Sequence, residues 1–281
     1  MKGTLYLVAT PIGNLEDITR RAIRILKEAE IILCEDTRRV RKLLAYLGIK
    51  GKKLESFNQH NQEQKIPKVI DWLEQGKVVA LCCDAGTPAI SDPGGRLVEM
   101  AHQKKIKIVP VPGASALTTA LSASGLPADR FLFLGFLPSR AGERKKLLEK
   151  YQDFPETIVL FEAPHRIKKT LKTLREIFGE RRVCLARELT KIFEEVKLTR
   201  LSKLIEELEK ITPQGEFTLV IEGAKAKKKA LDAQEIKKMI QKKLLEGKKL
   251  KDIAQSLAEE FSLSKNLVYQ LGLEVKKEAK G

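Results

Sequence analysis

Along the first 125 residues, short apolar runs alternate with amphipathic segments, and few folds accommodate that rhythm. "TLYLVA" (4–9), "EIILCE" (30–35), "KVVALCC" (77–83) and "KIKIVPVP" (105–112) are each of strand length and almost wholly apolar. Runs of that kind belong in a sheet covered on both faces. Between them, 17–29 places Ile18, Ala22, Ile25, Leu26 and Ala29 on one helical face, "DTRRVRKLLAYLGI" is a basic amphipathic helix, and 65–76 and 95–104 are helical. The order β-α-β-α-α-β-α-β predicts an α/β fold whose mostly parallel sheet is covered by helices.

The rhythm changes after "VPVP". Residues 112–125 predict a helix of small residues. Strands are expected at 130–138, 157–164, 182–190, 194–201 and 216–223, with helices at 140–151, 165–179 and 202–210. This is a second, mixed α/β unit. After Gly223 the segment "AKAKKKALDAQ" reads as a hinge. Residues 225–281 hold 15 Lys against 8 acidic residues and no strand pattern. Helices are expected at 234–245, along a stripe of Leu250, Ile253, Ala254, Leu257 and Ala258, and after a Ser264 cap through Leu267, Val268 and Leu271. The expected domains are 1–111, 112–224 and a basic tail, 225–281, like a helix-turn-helix.

Composition narrows the function. No apolar run is long enough to span a bilayer, and the apolar stretch after Lys2 is too short for a signal-peptide core. A soluble cytoplasmic protein without membrane contact is expected. Cys34, Cys82, Cys83 and Cys184 lie in apolar runs without C-x-x-C spacing, and His60, His102 and His165 are scattered. Buried reduced thiols and no metal site are expected. The net charge of +16 favours a polyanionic partner, nucleic acid first.

The stretch "DAGTPAISDPGG" (84–95) is a long crossing from strand to helix, with three Gly, two Pro and two Asp. It lacks a Walker lysine and a G-x-G-x-x-G pattern, so a phosphate cradle does not fit. Asp84, Thr87, Ser91, Asp92 and open backbone suit a ligand with positive charge and hydroxyls, and S-adenosylmethionine has both. "ATPIGNLED" (9–17) leaves the first strand in the same style. In a parallel sheet the loops at 10–14, 35–38 and 84–94 share the carboxyl rim, where open α/β folds bind ligands.

Taken together, "LVATPIGNLEDIT", "CEDTRRVRKLL", "FNQHNQEQK", "DAGTPAISDPGGRLV", "VPGASALTTALSASG", "FLGFLP", "FEAPHRI", "RELTKIFEE" and "GEFTLVIEG" resemble the ribosomal RNA small subunit methyltransferase I family. That family has the two-domain tetrapyrrole-methylase fold, a class of S-adenosylmethionine-dependent (class III) methyltransferases, followed by a helical tail. The resemblance implies 2′-O-methylation of one cytidine ribose in the decoding region of 16S rRNA, in the assembled small subunit, by a homodimer. The fold's other occupation, methylation of a tetrapyrrole, is the alternative. The implied cofactor-binding residues are Pro11, Asp84, Gly86, Thr87, Pro88, Ile90, Ser91, Ser115, Ala116, Phe161 and Thr218. Candidates to accept the ribose proton are Glu35, Asp36, His60, Glu162, His165 and Glu188. Arg38, Arg166 and Arg187 are candidates to clamp phosphates or hold those carboxylates.

Overall fold

The computed structural model describes residues 2–225, 232–261 and 263–278. Most of the expected hinge, 226–231, lies outside the described residues. Residues up to 224 form one compact unit and those from 225 another.

In the first unit the elements are β1 (Thr4–Val8), α1 (Arg20–Glu28), β2 (Ile31–Cys34), α2 (Thr37–Tyr46), β3 (Lys53–Ser56), α3 (Gln62–Glu74), β4 (Val78–Leu81), α4 (Gly95–Gln103) and β5 (Lys107–Val111). The five strands form a sheet in the order β3-β2-β4-β1-β5, and every pairing is parallel. Both faces are covered, as the apolar strands require. Leu5, Leu33, Val79 and Leu81 meet Val69, Leu73, Leu97 and Ala101 of α3 and α4. Val8, Ile32, Ala80 and Cys82 meet Ala22, Ile25, Leu26, Val40 and Leu44 of α1 and α2.

The sequence expectation misses β3, because "KLES" carries one apolar side chain and lies at the sheet's edge. Helix α1 starts at Arg20 rather than 17, because the Thr19 side chain caps it by accepting from Ala22 N at 3.1 Å. Helix α3 begins before Pro67, at Gln62, so the proline falls within its early turns.

At the sheet's other end, Gly3 N donates to Leu73 O at 2.7 Å. A Cβ on Gly3 would lie 1.9 Å from the Lys77 carbonyl oxygen. Gly3→Ala is therefore expected to lower the unfolding free energy by about 1–3 kcal/mol in denaturant titration, through forced backbone displacement.

The chain continues with α5 (Ala116–Ala123), β6 (Phe131–Phe136), α6 (Ala141–Glu149), β7 (Thr157–Glu162), α7 (Ile167–Phe178), β8 (Arg182–Arg187), β9 (Glu195–Arg200), α8 (Leu201–Glu209) and β10 (Phe217–Ile221). Their sheet runs β6-β7-β10-β8-β9. Strands β6 and β7 are parallel and the other pairings antiparallel. One face, with Ile158, Leu160, Leu185 and Leu219, packs on Leu148, Leu171, Leu174 and Leu204 of α6, α7 and α8. The other face, with Val159, Cys184 and Val220, packs on Ala120 and Leu121 of α5 and on Ile12 from the β1–α1 loop. Strand β7 is buried on both faces, and its last two residues, Phe161 and Glu162, approach the loops of the first sheet.

The second unit holds α9 (Ala233–Leu245), α10 (Leu250–Phe261) and α11 (Lys265–Glu278). Ile236, Ile240, Leu250, Ile253, Ala254, Leu257, Val268 and Leu271 form its core. Leu267 is exposed, and Ala258 lies at the edge of the buried stripe. Among the described residues, no helix is long and apolar enough to cross a membrane.

Candidate active site

Three loops meet at the carboxyl end of the parallel sheet and are laced together by hydrogen bonds. Thr10 and Gly86 form an isolated antiparallel bridge, with Thr10 N donating to Gly86 O at 2.8 Å and Gly86 N to Thr10 O at 2.9 Å. The Thr10 hydroxyl donates to Cys83 O at 3.1 Å. Asp36 N donates to Asp84 Oδ1 at 3.0 Å, and Arg39 Nε lies 3.5 Å from Asp84 Oδ2. A fourth loop joins where the Thr87 hydroxyl donates to Ala114 O at 3.3 Å, just before α5.

The length of 84–95 now has a reason. Gly86, Ala89, Ser91 and Gly94 all have positive φ, and Ala89 (66°) and Ser91 (61°) are not glycines. Non-glycine residues seldom adopt that conformation, and they gather at ligand sites because the surrounding structure over-determines them. Here the looping backbone leaves a cavity of about 360 Å³ facing the second sheet, within the usual size range of small-molecule sites.

Eleven of the expected residues line this cavity. From the first sheet come Glu35, Asp84, Gly86, Thr87, Ile90 and Ser91, from the start of α5 Ser115 and Ala116, and from the second sheet Phe161, Glu162 and Thr218. Pro11 and Pro88 are not on its wall; Ile12 takes the place expected of Pro11. Asp92, expected from the loop to suit a cationic ligand, lines it as well; Arg39, Ala85, Phe136, Ala163, Pro164, Glu216 and Phe217 also line it and were not singled out as binding residues. Asp92 and Ala85 were legible as members of the loop. Phe136 and Glu216 carried no local signal.

The remaining catalytic candidates lie off the wall, and most have partners that account for them. Asp36 caps α2 by accepting from Arg38 N at 2.8 Å and pairs with the Arg38 guanidinium at 2.7 Å. The Arg38 hydrogen bonds hold the Asp36 carboxyl down at about 2. Arg38 is thereby the partner of Asp36, on an exposed surface. His60 is exposed, its backbone N–H donating to Asn58 Oδ1, and His165 is exposed too. Glu188 accepts from Lys191 Nζ at 2.8 Å and Glu216 N at 2.9 Å, and the Lys191 hydrogen bond lowers its pKa. Arg187 donates to Gln214 O and pairs with Glu195. Asp36, Arg38, His60, His165, Arg187 and Glu188 therefore do not converge on the cavity.

Glu162 does line the cavity, but its carboxylate is fully engaged. It accepts from Thr170 Oγ1 at 2.5 Å and Ala163 N at 2.8 Å, and Arg166 Nε lies 3.1 Å away. That last contact is an ion pair without hydrogen-bond alignment: Arg166 Nε is the one buried side-chain polar atom among the described residues without a hydrogen-bond partner. Arg166 also donates to Leu137 O and Pro138 O. Arg166 is thus a staple for the β6–α6 loop.

Two carboxyls are left with few partners. Burial, reinforced by Asp84 and Asp92, raises the Glu35 pKa against the lowering effect of Arg39. Burial also raises Asp92, which takes a hydrogen bond from the Cys83 thiol. The wall formed by Glu35, Asp84 and Asp92 carries negative charge with one facing cation, Arg39, itself largely exposed. From the second sheet come Phe136, Phe161 and Phe217, beside Glu162, held by Thr170 and Arg166, and Glu216, paired with Lys191. A ligand that is cationic at one end and aromatic at the other matches both walls. All four cysteines are buried and unpaired, and burial pushes the Cys34 thiol up to about 12. Among the described residues, no group of three or more His, Cys, Asp or Glu is arranged to hold a metal ion.

A family model described as tetrapyrrole (corrin/porphyrin) methylases matches residues 4–205, and the chain belongs to this class of methyltransferases. Solved structures agree on the fold. Uroporphyrin-III C-methyltransferase from Thermus thermophilus aligns with a TM-score of 0.56 at 25% identity, over 79% of this chain and 94% of that one. A cobalt precorrin-4 methyltransferase aligns with a TM-score of 0.57 at 19% identity, over 78% and 94%. Among curated proteins, the "Ribosomal RNA small subunit methyltransferase I" of Halalkalibacterium halodurans is 49% identical over 79% of this chain and 76% of its own length. Proteins of the same name from Streptococcus pyogenes serotype M1 (43%, over 95% and 94%) and Pseudomonas aeruginosa (42%, over 97% and 97%) match nearly end to end. Within the class, the chain is a member of that ribosomal RNA small subunit methyltransferase I family.

Proposed function

We propose that this protein transfers a methyl group from S-adenosylmethionine to the 2′-oxygen of a cytidine ribose in the decoding region of 16S rRNA, in the assembled small subunit. The observation that carries the reading is one cavity in which the 84–95 loop, the start of α5, the end of β7 and the start of β10 come together, with Glu35, Asp84 and Asp92 from the first sheet's loops and Phe161 and Phe217 from the second sheet on its wall. The acidic wall suits the sulfonium and amino group of the donor, and the less exposed rings of Phe161 and Phe217 its adenine, while Phe136 stands exposed at the mouth. Thr87, Ser91, Ser115 and Thr218 offer hydroxyls for the ribose and the donor's carboxylate. When bound, the donor supplies an electrophilic methyl already activated by positive sulfur.

The protein's task is then alignment and proton removal. As the ribose oxygen takes the methyl, its proton must leave, and Glu35 is the acceptor we assign. It lines the cavity, its pKa is raised, and neither a capping role nor a strong ion pair occupies it. The proton passes to the Glu35 carboxylate while the C–S electron pair returns to sulfur, so negative and positive charge are neutralised in one event.

The polyanionic substrate matches the net charge of +16 and the Lys-rich α9–α11 unit, which we assign to phosphate contacts. The reading places the protein in the cytoplasm with its substrate, acting as a homodimer; sedimentation of the purified chain tests the dimer.

Methyl transfer from labelled donor decides the function. Small subunits lacking the modification are expected to accept label on one cytidine ribose, with uroporphyrinogen III, run in parallel, unlabelled. Label on the tetrapyrrole alone supports the alternative; a chain that binds no donor in calorimetry is no methyltransferase. Small-subunit affinity is expected to fall steeply and log-linearly with salt. A flat salt response contradicts the phosphate contacts.

A further inference from the structure

Phe136 is 56% exposed although it lines the cavity, and Ile90 on the facing loop is 45% exposed. The backbone goes out of its way to put Phe136 there. Strand β6 pairs in regular parallel register with β7 from Phe131↔Thr157 to Phe133↔Val159, which would set Phe136 opposite Glu162. Instead Phe136 pairs with Phe161, and the register shift lies between Phe133 and Phe136. One extra residue moves a side chain to the other face of a sheet. Leu132 and Leu134 pack in the core beneath α6, α7 and α8, while Phe133 packs on the α5 side. Without the bulge Phe136 would follow Leu134 to the helix-covered face; with it, Phe136 joins Phe133 on the cavity side.

Gly135, at φ 59°, carries the bulge, and a Cβ there would come within 2.9 Å of the Ser91 hydroxyl oxygen. The bulge therefore sits directly against the 84–95 loop and sets Phe136 near Ile90. The ring is also held. Phe136 and Phe161 have centroids 5.7 Å apart, and Phe161 packs edge-on to Phe133 at 5.0 Å. A held, exposed aromatic ring and an exposed aliphatic side chain thus both line the cavity, each next in sequence to a residue of the Gly135–Ser91 approach.

We propose that Phe136 and Ile90 form a slot that grips the nucleobase of the target nucleotide once it is turned out of its stack. This rests on the RNA-methylation reading above and names what that site recognises. A ribose 2′-oxygen within a stacked strand cannot enter a recessed cavity, so the nucleotide must be unstacked. An aromatic ring at the entrance replaces the stacking lost, as in proteins that bind single-stranded nucleic acid.

The test is methyl transfer to unmodified small subunits by Phe136→Ala, Phe136→Tyr and Ile90→Ala, beside calorimetric donor binding and thermal unfolding. Phe136→Ala is expected to lose roughly 5- to 150-fold in kcat/KM for small subunits, the range for one base–aromatic stack. Donor affinity and melting temperature should be retained. Phe136→Tyr, which keeps the ring, should stay within threefold of the parent, and Ile90→Ala should show a smaller loss of the same kind. The slot is overturned if Phe136→Ala keeps kcat/KM within twofold, if its loss is explained by weaker donor binding, or if the tyrosine variant is as impaired as the alanine one. A parent protein inactive on small subunits refutes the underlying function instead, and the two failures are separable.

Discussion

Glu162→Ala is expected to destabilise the first unit by about 3–5 kcal/mol, the cost of stripping a partner from a buried ion pair. Glu162 closes β7 with a fully buried side chain. Its two oxygens satisfy the Thr170 hydroxyl, the Ala163 N–H at the entry to α7 and, by charge, the Arg166 guanidinium. Arg166 in turn holds the β6–α6 loop through Leu137 O and Pro138 O. Alanine leaves a mostly buried guanidinium without its counter-charge and a completely buried hydroxyl and a helix-entry N–H without an acceptor, and opens a void beneath them. Glutamine keeps one oxygen and nearly the same volume, so Glu162→Gln should lose markedly less. Urea titrations of the two variants give both values. A loss below 1 kcal/mol for alanine contradicts the network and returns Glu162 to the catalytic candidates.

The case of Glu162 shows what a sequence of this kind discloses. Strand-end acids were recognisable because strand ends are, and β2, β4, β7 and β10 are readable since burial on both faces makes them continuously apolar. The same reading could not tell a cap from a base. Asp36 and Glu35 are neighbours in sequence, yet one turns outward to Arg38 and α2 while the other faces the cavity. Which way each points depends on a hydrogen bond to Asp84, 48 positions away. Strand β3 was invisible because an edge strand needs little apolar surface. The β6 bulge was invisible because "FLFLGF" fits a regular strand as well as a bulged one, and only its pairing to β7 reveals that Phe136 faces the cavity. The 84–95 loop was the most legible part of the site, since its glycines and prolines exclude regular structure. Its strained Ala89 and Ser91 were not legible, because nothing in either side chain announces a positive φ.

Glu35→Gln should produce the largest loss of activity, about 10²- to 10⁴-fold in the single-turnover rate on unmodified small subunits, the usual contribution of a positioned general base. The substitution keeps size and shape and removes the ability to take a proton. The pH dependence separates this role from a structural one. The folded protein holds Glu35 protonated to higher pH than an ordinary carboxyl, because burial and the charges of Asp84 and Asp92 outweigh Arg39. A base works deprotonated, so the parent's rate should climb with pH through that raised pKa and then level off. Asp36 and Glu188 are both shifted the opposite way, so neither can produce a limb displaced upward. Asp92 is shifted in the same direction as Glu35, which makes Asp92→Asn the necessary companion. Removing the Asp92 charge should move the limb to lower pH while preserving most of the plateau rate, whereas removing Glu35 should abolish the limb altogether. Stability runs the other way. A carboxyl whose folded pKa is raised favours the fold below its unfolded pKa, and that contribution is lost as pH rises through the folded value. At neutral pH Glu35→Gln should therefore be no less stable than the parent, while being far slower. An unchanged pH limb in Glu35→Gln, or a full loss of activity confined to Asp92→Asn, transfers the role of base to Asp92.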